Sequence, residues 1–409
     1  MIKNLFIGIL HLEKDETWLK SSSKSGIQVA ANNFQWNFIS GLEQNFKTSP
    51  DIISTLSMGS FPFSSKKLFI RSSKHKRLKR ATFKYIGYIN FYVIKGLIRF
   101  IFLVIELFKW IRKNPSGNIY IYSLYTPFLF ALFITRFFQN TNKVKTCLIV
   151  PDLFGKYGIQ DSFFTLSGIS HRIDAFFIKF LANKFDSYVL LTKQMVKPLC
   201  IKDKPFVVIE GLIDSTKIIN NNHQKLKDSK KIVLYSGSLL KVFGINMLLE
   251  SFNRLKDDNY ELWICGPVNE SKKVVEFTLK DNRIKYLGFL NKDELNDIRK
   301  ESTLLINPRP NEGKYVKYSF PSKTMEYMKS GKPVLMFKLS GIPDEYFRYL
   351  YFFDENTHES ICEKIIEILS KDYKELNAFG KNASNFIIKN KGNKDQVKKA
   401  VKLLESVKK

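Results

Sequence analysis

From residue 231 onward, short apolar runs alternate with helix-like stretches, and this alternation limits the fold more than any other feature of the chain. The runs KIVLYSG, YELWICG, IKYLGFL, STLLINP, PVLMF and LYFF end mostly at glycine or proline. Between them lie helical stretches at Gly244–Leu255, Glu270–Lys280, Lys292–Lys300, from Ser319 onward, and at Ser360–Leu369. Short continuous apolar strands separated by helices predict a parallel sheet covered on both faces. The first half repeats the pattern less regularly. Its expected strands are Leu5–Leu10, Asn118–Tyr122, Thr146–Val150, Ser187–Leu191 and Phe206–Ile209. Its expected helices are Gly26–Gly41, Tyr88–Lys113, Pro127–Phe138 and Ile169–Asn183. A chain of 409 residues exceeds one core. The aperiodic polar stretch 215–230 reads as a hinge between domains 1–214 and 231–409, with the Lys-rich segment Tyr373–Lys409 returning to the first. The predicted fold class is α/β, two Rossmann-like doubly wound domains facing across a cleft, with ligands at the carboxyl ends of the strands.

Charge is distributed unevenly. Residues 1–214 hold 30 basic and 13 acidic side chains, and the remainder 36 and 25, which together make the net charge of +28. The densest run, KKLFIRSSKHKRLKRATFK at 66–84, has nine Lys or Arg and no acid. It suits an anionic surface (nucleic acid, acidic lipid or a phosphorylated substrate) or is a solvated loop. The apolar stretch 87–113 that follows contains Lys95, Arg99, Glu106 and Lys109, too many charges for a membrane span. These fall near one helical stripe, so the helix is amphipathic. It packs on the core or lies in a membrane interface. The opening MIKNLFIGILHLEKDE has too short an apolar run for a signal peptide and reads as a first buried strand. Cys147, Cys200, Cys265 and Cys362 are scattered without a CxxC, which fits reduced cysteines of a cytosolic protein and supports neither a disulfide framework nor zinc.

Two strand ends carry chemistry. Strand KIVLYSG ends at Gly237, followed by Ser238 and Lys241, with Gly244 opening a helix; Gly266 and Pro267 close the next strand. Glycine at such a turn lets backbone N–H groups approach a phosphate, although many α/β turns need glycine only for steric reasons. The stretch SFPSKTMEYMKSGKPVL at 319–335 predicts a helix of about three turns, with Ser319 as N-cap, Pro321 in the first turn and Gly331 at its end. Ser319, Ser322 and Lys323 place hydroxyl and ammonium donors at a helix start, where an anion such as a diphosphate is stabilised. Glu326, at i+4 from Ser322 and i+3 from Lys323, can accept the vicinal hydroxyls of a ribose, or simply pair with Lys323 on the surface.

The Gly-Ser-Leu turn, the Ile-Cys-Gly-Pro and Asn-Pro-Arg-Pro strand ends, and Phe-Pro-Ser-Lys-x-x-Glu-Tyr-Met-x-Ser-Gly-Lys-Pro-Val resemble the retaining GT-B glycosyltransferases of the GT4 group. The resemblance is to bacterial enzymes of capsule, exopolysaccharide and lipopolysaccharide assembly, and it is dense over 231–355. It implies a C-terminal domain that binds the nucleotide sugar, an N-terminal domain that binds the acceptor, and a ribose contact at Glu326. It also implies that Gly26, in the loop SKSGIQVAANNFQW, lets the chain approach the donor. Departures occur at Tyr318, where the group carries a first glutamate, which leaves Glu312 or Lys317 as substitutes. They occur also at Ser238 in place of an arginine, at Pro151 and Asp152 in place of a histidine, and at Glu210 in place of an asparagine. Asp152 is kept as a donor-sugar or acceptor ligand.

No DxD occurs in the C-terminal half, so no metal site is expected, and no cofactor beyond the nucleotide sugar. Fixed cations and helix N–H groups then stabilise the departing nucleoside diphosphate, with Lys323 and Lys241 as the cationic candidates. The expected partners are a nucleotide sugar, a glycan or lipid-linked acceptor, and an anionic membrane surface, on the cytoplasmic face of the cell membrane. Nucleic acid is not expected, because no reader motif accompanies the charge. His11, at the end of the first strand, is expected to be structural. Two rivals remain: a nucleotide-sugar epimerase on the same fold, and an idle scaffold that binds anionic surfaces.

Overall fold

The computed structural model of the protein describes residues 2–24, 27–76, 81–92, 94–139, 141, 143–153, 166–214, 230–267 and 272–408. Gly26 and almost all of the expected hinge lie outside the described residues. The chain divides into two units, Met1–Asp214 with Gly392–Lys409, and Ser215–Lys391.

In the first unit, β1 (Asn4–Gly8) leads through α1 (Glu16–Ser22) and α2 (Val29–Phe46) to β2 (Asp51–Ser54). Four short strands follow, β3 (Phe69–Ile70), β4 (Ser73–Lys76), β5 (Thr82–Tyr85) and β6 (Tyr88–Ile89). Then come α3 (Ile94–Lys113), β7 (Asn118–Tyr122), α4 (Thr126–Phe138), β8 (Lys145–Val150), α5 (Leu166–Ala182), β9 (Ser187–Leu190), α6 (Val196–Leu199) and β10 (Phe206–Val208). The main sheet has the order β10-β9-β8-β7-β1-β2-β5-β4. Its pairs are parallel except β4 with β5. β1 and β7 are buried along their whole lengths, as their unbroken apolar runs require, and Phe6, Phe38, Phe83 and Tyr120 centre the core.

Three expectations need correction here. The helix expected at Gly26–Gly41 is α2, and Gly41 lies inside it; a Cβ there would stand 2.5 Å from Val397 Cγ2 of the terminal helix, so the glycine serves close packing rather than a helix end. The helix expected from Tyr88 begins at Ile94, because Tyr88–Ile89 pairs antiparallel with β3. Part of the basic run is the edge strand β4, whose pairing with β5 was hidden by its charge. The charged stripe of α3 is only partly in solvent, with Lys109 and Lys113 exposed and the rest turned inward. Arg99 is buried, donates to Tyr125 Oη (3.0 Å) and Leu56 O (3.1 Å), and lies 3.8 Å from the centre of the Tyr88 ring. Glu106 pairs with Lys84 at 2.6 Å.

The second unit runs β11 (Lys231–Ser236), α7 (Ile245–Arg254), β12 (Tyr260–Cys265), α8 (Lys272–Lys280), β13 (Ile284–Tyr286), α9 (Lys292–Glu301) and β14 (Leu304–Asn307). It continues with α10 (Ser322–Lys329), β15 (Val334–Met336), β16 (Tyr351–Phe352), α11 (His358–Ser370) and α12 (Tyr373–Asn390). All strand pairs are parallel, in the order β13-β12-β11-β14-β15-β16. Counted within the unit this is 3-2-1-4-5-6, whose direction reverses between β11 and β14. Ligands of doubly wound sheets bind outside the strand ends at that reversal. The final helix, α13 (Asn393–Ser406), lies in the first unit, packed on α2 through Val397, Ala400, Val401 and Leu404. Its start is tied by the Asn393 N–H to Ile213 O at 2.9 Å and by Asn45 Nδ2 to Lys394 O at 2.8 Å.

Candidate functional site

At the reversal point, the backbone after β11 turns sharply at Gly237, whose φ is +153°. The Gly237 N–H donates to Cys265 O (2.8 Å), and the adjacent Gly266 sits so close that a Cβ on it would meet Gly237 O at 2.1 Å. Farther along the loop, Gly244 has φ +80° and faces Pro308 O, where a Cβ would stand 2.0 Å away. Glycine is therefore required at both places, by conformation and by space. The strand ends of β11, β12 and β14 are drawn together as a result.

Helix α10 supplies the other half. Tyr327, fully buried on it, accepts from the Ser236 N–H at 2.9 Å and donates to Ser236 O at 3.0 Å, which ties the helix to the last residue of β11. Burial raises the phenol's pKa, so the hydroxyl stays protonated to donate. With the helix so placed, the Lys323 ammonium occupies the space above Gly237: a Cβ on that glycine would fall 1.2 Å from Lys323 Nζ. The same ammonium lies 5.1 Å from the centre of the Tyr235 ring. Sequence order brings Gly237 and Lys323 no nearer than 86 positions; the fold puts them in contact.

The start of α10 corrects another expectation. Its N-cap is Pro321 rather than Ser319, and no side chain caps it. Proline forces Phe320 away from helical angles, so the helix cannot begin earlier. Ser319 is extended (φ −129°, ψ 147°) and its hydroxyl accepts from Arg309 Nη2 at 3.0 Å. The helix is eight residues long, shorter than expected, and ends with Gly331 at φ +77°. Ser322 is exposed at its first position. An uncapped helix start with an exposed hydroxyl and an ammonium beside a glycine turn is chemically suited to an anion.

Glu326 does not pair with Lys323. Its Oε2 accepts from Arg299 Nη2 at 3.1 Å, and Arg299, buried, lies with its guanidinium 5.5 Å from the centre of the Tyr327 ring. Arg299 also lowers the Cys265 thiol's pKa against burial, which still pushes it up to about 11. One carboxylate oxygen of Glu326 is thus held from below while the side chain remains 48% exposed. A carboxylate so fixed can accept hydroxyl hydrogen bonds without first losing rotamer freedom. Arg299 was missed in sequence; it lies in α9, and only packing brings it to Glu326.

Of the remaining candidates, Ser238 O accepts from Tyr235 Oη at 2.5 Å, and Pro267 follows Gly266, whose carbonyl accepts from Tyr286 Oη at 2.5 Å. Lys241 is exposed on the 3-10 turn before Gly244. Glu312 accepts from Asn356 Nδ2 at 2.8 Å, and Lys317 lies 5.1 Å from the centre of the Tyr318 ring. Asp152 is exposed just beyond β8 in the first unit, where its charge adds to the burial that raises the Tyr122 phenol's pKa. His11 is buried, its ring nitrogen against Asn32 and its carbonyl accepting from Trp36 Nε1 at 2.8 Å, and burial lowers its pKa. It is a structural residue of the first unit. Among the described residues no group of three or more His, Cys, Asp or Glu is placed to hold a metal ion.

Residues 217–386 match the family model of glycosyl transferases group 1. No curated protein matches the chain. Solved structures similar to it include the sucrose-phosphate synthase of Thermosynechococcus elongatus, at 12% identity and TM-score 0.67, covering 98% of each chain. A trehalose-6-phosphate synthase studied with bisubstrate glycomimetics for glycosyl transfer with retention is similar at 9% identity and TM-score 0.68, covering 99% of each. The E. coli trehalose-6-phosphate protein bound with UDP-2-fluoro glucose is similar at 9% identity and TM-score 0.66, covering 99% of this chain and all of that one. The chain therefore has the GT-B fold, and its residues 217–386 are similar to the glycosyl transferases group 1 family.

Proposed function

We propose that the protein transfers a sugar from a nucleoside-diphosphate sugar to an acceptor glycan with retention of configuration, without a metal, in the assembly of a cell-surface polysaccharide. The observation that carries this reading is the Lys323 ammonium seated over Gly237 at the start of α10. Negative charge grows on the diphosphate as the glycosidic bond to the donor breaks. A fixed ammonium and a helix start stabilise that charge most when it is fully developed, which is the condition for lowering the barrier. Glu326, held by Arg299, takes the ribose hydroxyls. Retention is supported by the likeness to a trehalose-6-phosphate synthase that transfers with retention, and a uridine donor by the likeness to a protein bound with UDP-2-fluoro glucose. The acceptor is lipid-linked and met at the cytoplasmic face of the cell membrane.

The test is a panel of nucleotide sugars, each incubated with the protein and scored for nucleoside-diphosphate release. One donor should be hydrolysed slowly without acceptor and faster with a lipid-linked glycan. Release from none of them, with donors bound, would make the protein a scaffold rather than an enzyme.

A further inference from the structure

On the face of the first unit formed by α3, α4 and α5, the apolar side chains point outward. In α3 the i, i+4 row Leu97, Ile101, Ile105 is exposed, with Phe102 beside it, and the row continues into Lys109 and Lys113. In α5 the row Ile173, Phe176, Phe177 and Phe180 is exposed and is followed by Lys184, whose ammonium lies 4.9 Å from the centre of the Phe180 ring. Helix α4, packed between them, exposes Phe137 and Phe138 at 76% and 67%. The rings are contiguous: Phe130 meets Phe177 at 5.2 Å and Phe133 meets Phe180 at 6.0 Å between centroids. Between α4 and α5 opens a cavity of about 290 Å³, lined by Leu129, Phe133, Leu181 and Phe185, with Arg136 and Lys184 in its walls.

Single exposed apolar residues are ordinary, but exposed apolar rows on three successively packed helices are not. The arrangement has a cause in α3, where Lys95, Arg99 and Glu106 turn toward the body of the unit and leave the aliphatic row outside. Acids are nearly missing from the face. Within the three helices only Glu106 and Asp174 occur, the first engaged with Lys84 and the second with the Thr126 hydroxyl. Among the described residues, the exposed cations Lys109, Arg112, Lys113 and Lys179 have no such counterweight but for the Lys109 contact to Glu106 at 3.6 Å.

We infer that this face docks on an anionic lipid bilayer, with the aromatic rows in the acyl–headgroup boundary and the cations on the phosphates. Aromatic and aliphatic side chains bordered by Lys and Arg are what interfacial binding requires. Among the described residues no helix is long and apolar enough to cross a membrane, so the attachment is peripheral. A two-fold contact with a second copy would instead bring two acid-poor, positive faces together. The inference deepens the proposal of a membrane-borne acceptor, and it extends the stretch 66–113, which includes α3, to α4 and α5.

The test is flotation of the full chain with vesicles of three parts phosphatidylcholine to one part phosphatidylglycerol, and with phosphatidylcholine alone. The wild type should partition at least tenfold better onto the anionic vesicles. Ile101→Ser/Phe137→Ser/Phe176→Ser should lose at least tenfold of that binding, and Lys109→Gln/Lys113→Gln/Lys179→Gln should lose the preference for anionic lipid. Binding of UDP, measured in parallel, should not change, which separates loss of docking from loss of fold or of the donor site. Vesicle binding equal in wild type and the apolar triple variant would overturn the inference. So would a lipid-free dimer that the triple variant abolishes, since the face would then be a protein interface. Loss of UDP binding in the wild type would sink the donor reading and leave docking standing.

Discussion

Gly237 shows how little a single position can change without consequence. Its backbone angle and the ammonium of Lys323 together exclude a side chain. Gly237→Ala puts a methyl group where Nζ lies, and because Nζ is the end of a flexible chain, the lysine moves and the fold survives. The expected outcome is a protein that still folds but is destabilised by more than about 1 kcal/mol, because alanine is strained at this backbone angle, with donor affinity lowered about tenfold, checked by urea denaturation and by titration with UDP. At this scale the placement of Gly237 at a strand end and of Lys323 and Glu326 near a helix start was legible, because turn glycines and charged groups at a helix start announce themselves by type and spacing; that they hold a donor is the proposal. Ser319 was misread as a cap because Pro321 sets where helical angles can begin. Arg299 was illegible, since nothing in α9 distinguishes it from the other basic residues until Glu326 is placed against it.

Elements of the second unit were readable because its central strands β11, β12, β14 and β15 are almost wholly buried and so read as short apolar runs. Strands β3 to β6 were not, because two- to four-residue strands within a basic stretch carry no period long enough to see. The helix α3 was read as amphipathic, but the burial of Arg99 was not legible, since it depends on Tyr88, Tyr125 and Leu56 arriving from other elements. One strand carries a pH prediction. Glu261 on β12 is buried, which alone would raise its pKa, but Lys230 (2.7 Å), Lys285 (2.9 Å) and the Trp263 indole N–H (2.8 Å) outweigh this and hold it at about 2. Its folded value lies below the ordinary 4.5, so the stability it confers is present above pH 4.5 and lost as pH falls toward 2. The contribution is on the order of 2 kcal/mol after screening. Urea midpoints measured across that window should fall in the wild type and fall less in Glu261→Gln.

The whole molecule is two doubly wound units, with the chain returning at Gly392 to finish the first. That division followed from length and from the aperiodic stretch near 215–230, whereas the strand order of the first unit depends on pairings no local pattern encodes. If transfer relies on Lys323 and the start of α10, sugar transfer should persist after exhaustive chelation, measured as product formed in EDTA; complete loss restored by Mg²⁺ or Mn²⁺ would place a metal at the diphosphate. The central claim is that one helix holds the donor in two places, the diphosphate at Lys323 and the ribose at Glu326. Titration calorimetry with UDP and with inorganic pyrophosphate tests it directly. Lys323→Ala should weaken both ligands, whereas Glu326→Ala should weaken UDP by roughly ten- to a hundredfold, the equivalent of about 1.5–3 kcal/mol, and leave pyrophosphate unchanged. UDP affinity unchanged in a folded Glu326→Ala protein, or pyrophosphate affinity unchanged in Lys323→Ala, would contradict the account.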